Sequence, residues 1–116
     1  MLESLVNFDE VVTCGPVIQE VIQGFDDEGA YRVARDAMLA LPVLENPLTL
    51  DVYEQAANLY RRGRRAGKTL RSSVDCLIAT CALLHDVEVL HADRDYDAIA
   101  TFTSLRARNI RHPARS

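Results

Sequence analysis

Residues 72–97 read SSVDCLIATCALLHDVEVLHADRDYD, and this stretch decides the fold. Ser72-Ser73-Val74-Asp75 opens a helical run, Cys76 to Leu84, that has almost no polar face. A helix apolar on every side belongs in the middle of a domain. Val87-Glu88-Val89-Leu90-His91 then reads as a compact strand, followed by a short helix from Arg94 to Phe102. Ala107 to Ile110 supplies a last strand ahead of a basic tail that begins at about residue 111.

Upstream, the same alternation holds. Leu2, Leu5, Val6 and Phe8 recur at helical spacing, which predicts that the chain opens in a helix end. Val11, Val12 and Thr13 are β-branched and mark a strand over Glu10 to Cys14. Gly15-Pro16 punctuates, and Pro16 suits the first turn of a helix running to about Gly24. Asp26-Asp27-Glu28 sets acids at the start of the next helix, which Pro42 ends before a short strand at Val43 to Glu45. Thr49 or Asp51 caps a long amphipathic helix that stops before Gly67. Strands separated by helices in this way predict an α/β fold, a parallel sheet with helices on both faces.

The chain's 116 residues make one domain, and 48% hydrophobic with 26% charged residues excludes a disordered tail or a fibre. A domain of this size folds without a disulfide framework or a structural metal. Cys14, Cys76 and Cys81 stand beside apolar or small residues at no ligand-like spacing, which predicts buried free thiols. A zinc site would use Cys81 and His85, four apart on a helix, but its other ligands have no motif spacing. No apolar run approaches the ~18 residues of a membrane span, and no basic region precedes an apolar stretch, so a cytoplasmic location is expected.

Net charge is −4, which argues against a surface coated for nucleic acid, yet ten of the thirteen cationic residues lie in two segments that contain no acid. Arg61, Arg62, Arg64, Arg65, Lys68 and Arg71 form one; Arg106, Arg108, Arg111 and Arg115 form the other. A solvated helix end with a solvated tail and a phosphate-contacting rim both fit this map.

The acids also admit two readings. Open α/β sheets place their ligand sites at the carboxyl ends of the strands, and Asp93 falls two residues past the strand that ends at His91. It can equally cap the helix from Arg94. Asp97 stands one helical turn on and can share that edge, with Asp95 pointing elsewhere. Ser72-x-x-Asp75 fits a capping box, while the central helix it starts should open at the same edge as Asp93. Glu20 projects off the centre of the stripe formed by Val17, Ile18, Val21, Ile22 and Phe25, where a solvent-facing acid is the default.

Three blocks together, Gly15-Pro16-Val17-Ile18-Gln19-Glu20-Val21-Ile22-Gln23-Gly24, Arg71 to Ala79 and Leu90 to Ala100, resemble the PIN domain, specifically the VapC-type toxins of prokaryotic toxin–antitoxin pairs. The likeness extends from about Glu10 to Ile110. It implies a three-layer α/β/α fold and a Mg²⁺- or Mn²⁺-dependent endoribonuclease whose carboxylates cluster at one sheet edge. By motif position Glu20, Asp75 and Asp93 match the family's second, third and fourth acids, and Asp97 an additional acid often seen in the toxin branch. His91 matches a place that is usually strand-end structure. Hard divalent ions take oxygen ligands, which agrees with these residue types. The resemblance further implies an RNA substrate, a VapB-type antitoxin whose peptide covers the acidic pocket, and a homodimer. Arg62, Arg65, Lys68 and Arg71 are then candidates for holding RNA phosphates.

A PIN domain begins with a buried strand that ends in Asp followed by Ser or Thr. Nothing before Glu10 has that form, and Asp9 is a poor substitute, so the first strand is expected to be missing. A second functional reading follows: a degenerate or truncated PIN module that binds antitoxin or RNA without catalysis. A phosphoacceptor of the response-regulator type is disfavoured, because it needs a Lys late in the chain and Lys68 is the sole lysine.

Overall fold

In the computed structural model the described residues are 3–7 and 10–110; Leu2, Phe8, Asp9, Arg111 and Arg115 lie outside them. The elements run β1 (Ser4–Asn7), β2 (Glu10–Cys14), α1 (Gly15–Ile22), α2 (Glu28–Leu39), β3 (Val43–Leu44), α3 (Leu50–Arg65), α4 (Ser73–His85), β4 (Glu88–His91), α5 (Arg94–Ala100) and β5 (Ala107–Asn109). The strands form one sheet in the order β3-β2-β1-β4-β5. β2 pairs with β3, and β4 with β5, in parallel, whereas β1 is antiparallel to both β2 and β4.

This corrects the expectation for the start of the chain. Residues 4–7 are a strand, not a helix end, and the centre of the sheet is occupied. The apolar spacing of Leu5 and Val6 fits either period, and pairing decides between them. A strand between β2 and β4 gives both neighbours hydrogen-bond partners and buries Leu5 completely, opposite Val12 on one side and Val89 on the other. The sheet is mostly parallel, in line with the expected α/β fold: four strands share one direction and β1 opposes them.

Elsewhere local chemistry sets the boundaries. Asp27 caps α2 by accepting from the Ala30 amide at 2.8 Å, and Thr49 caps α3 by accepting from Val52. Gly67, at φ 77°, takes the left-handed conformation just past the end of α3, a position that favours glycine. Asp86 ends α4 in the left-handed region at φ 49°, and the Val87 amide then reaches back to the Ala82 carbonyl at 3.0 Å, which turns the chain into β4.

The core gathers Val12, Val17, Val52, Leu59, Leu70, Ile78, Ala79, Val89, Tyr96 and Ile99. α4 lies at its centre, as its apolar circumference requires, with Cys76, Ile78, Ala79, Thr80, Cys81 and Ala82 buried. Thr80 satisfies its hydroxyl on the Cys76 carbonyl at 2.7 Å, so the helix carries one polar side chain into the core at little cost. The three cysteines are free and buried, and burial pushes the Cys76 thiol up to about 11. His85 instead faces Glu45, with its Nε2 2.8 Å from Oε1.

Candidate metal centre

Asp75 is the hub of the site. It sits in the first turn of α4 and is 3% exposed. Ser72 caps this helix, accepting from the Asp75 amide at 3.3 Å, but the Asp75 carboxylate does not complete the capping box. One of its oxygens, Oδ1, accepts from the Tyr96 hydroxyl at 3.1 Å; the other, Oδ2, is buried without a hydrogen-bond partner. Capping therefore accounts for Ser72 and leaves the acid to the pocket.

Two groups of carboxylates meet at Asp75. In one, oxygens of Glu3, Glu20 and Asp75 lie within 4.8 Å of one another; in the other, oxygens of Asp75, Asp93 and Asp95 do. Glu20 comes from α1, which Pro16 starts directly after β2. Asp93 follows β4 as the N-cap of α5, its Oδ1 accepting from the Asp95 amide at 2.9 Å. The cap uses one oxygen of Asp93 and leaves the other uncommitted to it, beside Asp75 and Asp95 in the second group.

Burial and crowding by like charge dominate the electrostatics. Desolvation pushes the Asp75 carboxyl up to about 8, helped by the charges of Asp93 and Glu3. Desolvation and the adjacent Glu3 carboxyl raise Glu20 to about 7. Burial and the Asp75 charge drive the Tyr96 hydroxyl far above its ordinary range, so it remains a proton donor to Asp75.

Asp97 is placed differently. Its side chain is half exposed and belongs to neither group of acids among the described residues. Oδ2 accepts from Asn109 Nδ2 at 2.9 Å, and Oδ1 stands 3.4 Å from His91 Nε2, too poorly aligned for a hydrogen bond. His91, fully buried against Tyr96, accepts from the Asp93 amide through Nδ1 at 3.1 Å, so its neutral ring carries the proton on Nε2, toward Asp97. Asp97 thus lies beside His91 and outside both groups of acids.

Asp95, expected to point away, turns inward. It is 3% exposed, and its Oδ2 accepts from the backbone amides of Arg71 and Ser72, each at 2.9 Å. This pins the segment entering α4 against the first turn of α5. Glu3 and Tyr96 were also not anticipated. Glu3 stands next to β1, whose strand character local spacing concealed; Tyr96 reads as an ordinary core aromatic until its hydroxyl is seen on Asp75.

Arg62, Arg65, Lys68 and Arg71 are all exposed. Arg71 adjoins the acids through its backbone bond to Asp95. Arg62 donates to the Phe102 carbonyl at 2.9 Å and stacks on that ring. Lys68 lines a cleft of about 280 Å³ with Arg64 and Tyr60. In the second basic segment Arg106 pairs with Asp86 and Arg108 with Glu88, so these two cations are engaged with acids.

A sequence profile of the PIN domain matches residues 1–101. The chain belongs to the PIN-domain family. This PIN domain is 37% identical over 101 residues to the VapC ribonuclease Mb1587 of Mycobacterium bovis, which places it in the VapC branch; the match covers 87% of this chain and 75% of the relative. Ribonuclease VapC11 of Mycobacterium tuberculosis shows the same identity and coverage. Among solved structures, a chain of VapBC2 from Rickettsia felis, crystallised bound to a DNA fragment from their promoter, superposes with a TM-score of 0.66 at 13% identity, covering 86% of this chain and 74% of that one. At that identity the likeness bears on the fold, and it agrees with the α/β architecture found here.

Proposed function

We propose that this PIN domain is an endoribonuclease toxin of a VapBC-type toxin–antitoxin pair, dependent on Mg²⁺ or Mn²⁺. The observation that carries this reading is the Asp75 carboxylate, buried among other acids with one oxygen free of any hydrogen bond. An unpaired buried carboxylate is costly, and several together repel, so the arrangement calls for a compensating cation. The donors are all carboxylate oxygens, the set that hard divalent ions prefer.

Glu20, Asp75 and Asp93 would hold the ion, with His91 holding the Asp93 amide. Bound there, the ion supplies a water of lowered pKa and positive charge to offset that of the attacked phosphate. Tyr96 orients Asp75, and Asp95 fixes the backbone that leads into it. Arg62, Arg65, Lys68 and Arg71 would hold phosphates flanking the scissile one. Asp75→Asn or Asp93→Asn should abolish Mg²⁺-dependent cleavage of RNA while preserving the fold, because each removes one charge from a repelling cluster. Cleavage retained by either variant would sink the mechanism, and a wild-type chain that binds RNA without cutting it would favour the non-catalytic module.

The same reading includes a VapB-type antitoxin and a homodimer in the cytoplasm. Among the described residues no helix is long and apolar enough to cross a membrane. Tyr53, Ala56 and Tyr60 of α3, with Val74 and Leu77 of α4, line an apolar cleft of about 500 Å³ suited to a protein partner.

A further inference from the structure

We propose that Glu3 is a ligand of the divalent cation, supplied to the acidic cluster by the reversed central strand; this rests on the metal-dependent reading above. The topology makes the placement possible. β2 and β4 run in the same direction and end at Cys14 and His91, beside Glu20 and Asp93. β1 opposes both, so its beginning, not its end, lies at that edge. Ser4 pairs with Leu90, and one further step along the register sets Glu3 level with His91. On the other side Leu5 pairs with Val12, and two further steps set Glu3 level with Cys14. A parallel strand in this slot would have presented its last residues here; the reversed one presents the residue that leads into it, Glu3.

The side chain bears out the placement. Glu3 is 7% exposed, one of its oxygens lies within 4.8 Å of oxygens of both Glu20 and Asp75, and its Oε2 is buried without a hydrogen-bond partner. Among the described residues three buried side-chain atoms are unpartnered, and two of them are the carboxylate oxygens of Glu3 and Asp75. A buried carboxylate oxygen left without a donor is a destabilising feature unless something positive meets it. The Glu3, Glu20 and Asp75 oxygens are close enough together to converge on one ion, and oxygen ligands alone suit Mg²⁺ or Mn²⁺.

The test is Mn²⁺ binding to the full chain, read from the electron paramagnetic resonance of free Mn²⁺, for wild type, Glu3→Gln and Asp75→Asn. Glu3→Gln is expected to lower Mn²⁺ affinity about tenfold or more, the loss typical of disturbing a metal site, with its circular dichroism unchanged. If Glu3→Gln binds as tightly as wild type while Asp75→Asn loses the ion, Glu3 is no ligand and the metal-dependent reading survives. If wild type does not bind Mn²⁺ at all, both fall. Should Glu3→Gln fail to fold, wild type labelled with ¹³C at glutamate carboxylates decides. A shift of the Glu3 carboxylate signal on saturation with diamagnetic Mg²⁺ supports the proposal, and a Glu3 signal left unmoved while that of Glu20 shifts overturns it.

Discussion

The Tyr96 hydroxyl donates to Oδ1 of Asp75 at 3.1 Å and so fixes which carboxylate oxygen is left to face the pocket. The bond joins α5 to α4 across the core, and Tyr96 has no exposed surface. Tyr96→Phe keeps the ring and removes the donor. It should cost about 1–3 kcal/mol in denaturant unfolding, since a buried acceptor is left unmet. Freed from its bond, Asp75 should also bind Mn²⁺ about tenfold more weakly. Lower stability with unchanged Mn²⁺ affinity would reduce Tyr96 to a structural role.

The raised carboxyls of Asp75 and Glu20 predict how the metal-free protein responds to pH. Both groups hold protons more tightly folded than unfolded. Their contribution to stability is therefore fully present below the ordinary values of 3.8 and 4.5, and it is lost as pH rises through about 7 for Glu20 and about 8 for Asp75. In EDTA the melting temperature should fall between about pH 5 and pH 8, and Asp75→Asn should flatten that fall. Saturating Mg²⁺ should restore the loss at the alkaline end, because it binds the ionised cluster of the folded state. A wild-type profile as flat as that of Asp75→Asn would show that these carboxyls do not titrate as the geometry requires.

Much of the architecture was legible because local chemistry sets it. Asp27, Thr49 and Ser72 cap the helices they precede, Gly67 closes α3, and the apolar α4 is central. What was not legible depends on contacts distant in sequence. β1 is a strand because β2 and β4 need a partner, a condition invisible within residues 4–7. The inward turn of Asp95 was missed for a related reason. A helical wheel aligns Asp93 with Asp97, but Asp93 is an N-cap with extended backbone, φ −123° and ψ 136°, so the helical period does not apply to it. The partners that draw Asp95 inward, the amides of Arg71 and Ser72, are more than twenty residues away.

Asp95 and Asp97 should consequently separate in mutagenesis. Asp95→Ala leaves two backbone amides without their acceptor and should destabilise the fold by about 1–3 kcal/mol. Asp97→Ala removes a half-exposed carboxylate and should cost under about 1 kcal/mol. Urea unfolding of the two variants checks the order, and a larger loss for Asp97→Ala would contradict the placement of both side chains.

The charge map leaves a rim and a solvated face equally open, and salt dependence separates them. If Arg65, Lys68 and Arg71 hold RNA phosphates, neutralising two of them should weaken binding of single-stranded RNA alike across sequences. The slope of log affinity against log salt should flatten by roughly 0.7 for each lost contact. Arg62 is less informative, because its bond to the Phe102 carbonyl and its stacking on that ring give it a structural use. Arg106 and Arg108, engaged with Asp86 and Glu88, should contribute little to the slope. Mn²⁺ affinity should be unaffected by any of these substitutions, since none supplies a carboxylate. An unchanged slope after the double substitution at Lys68 and Arg71 would return the α3 end to solvent and send the search for phosphate contacts elsewhere.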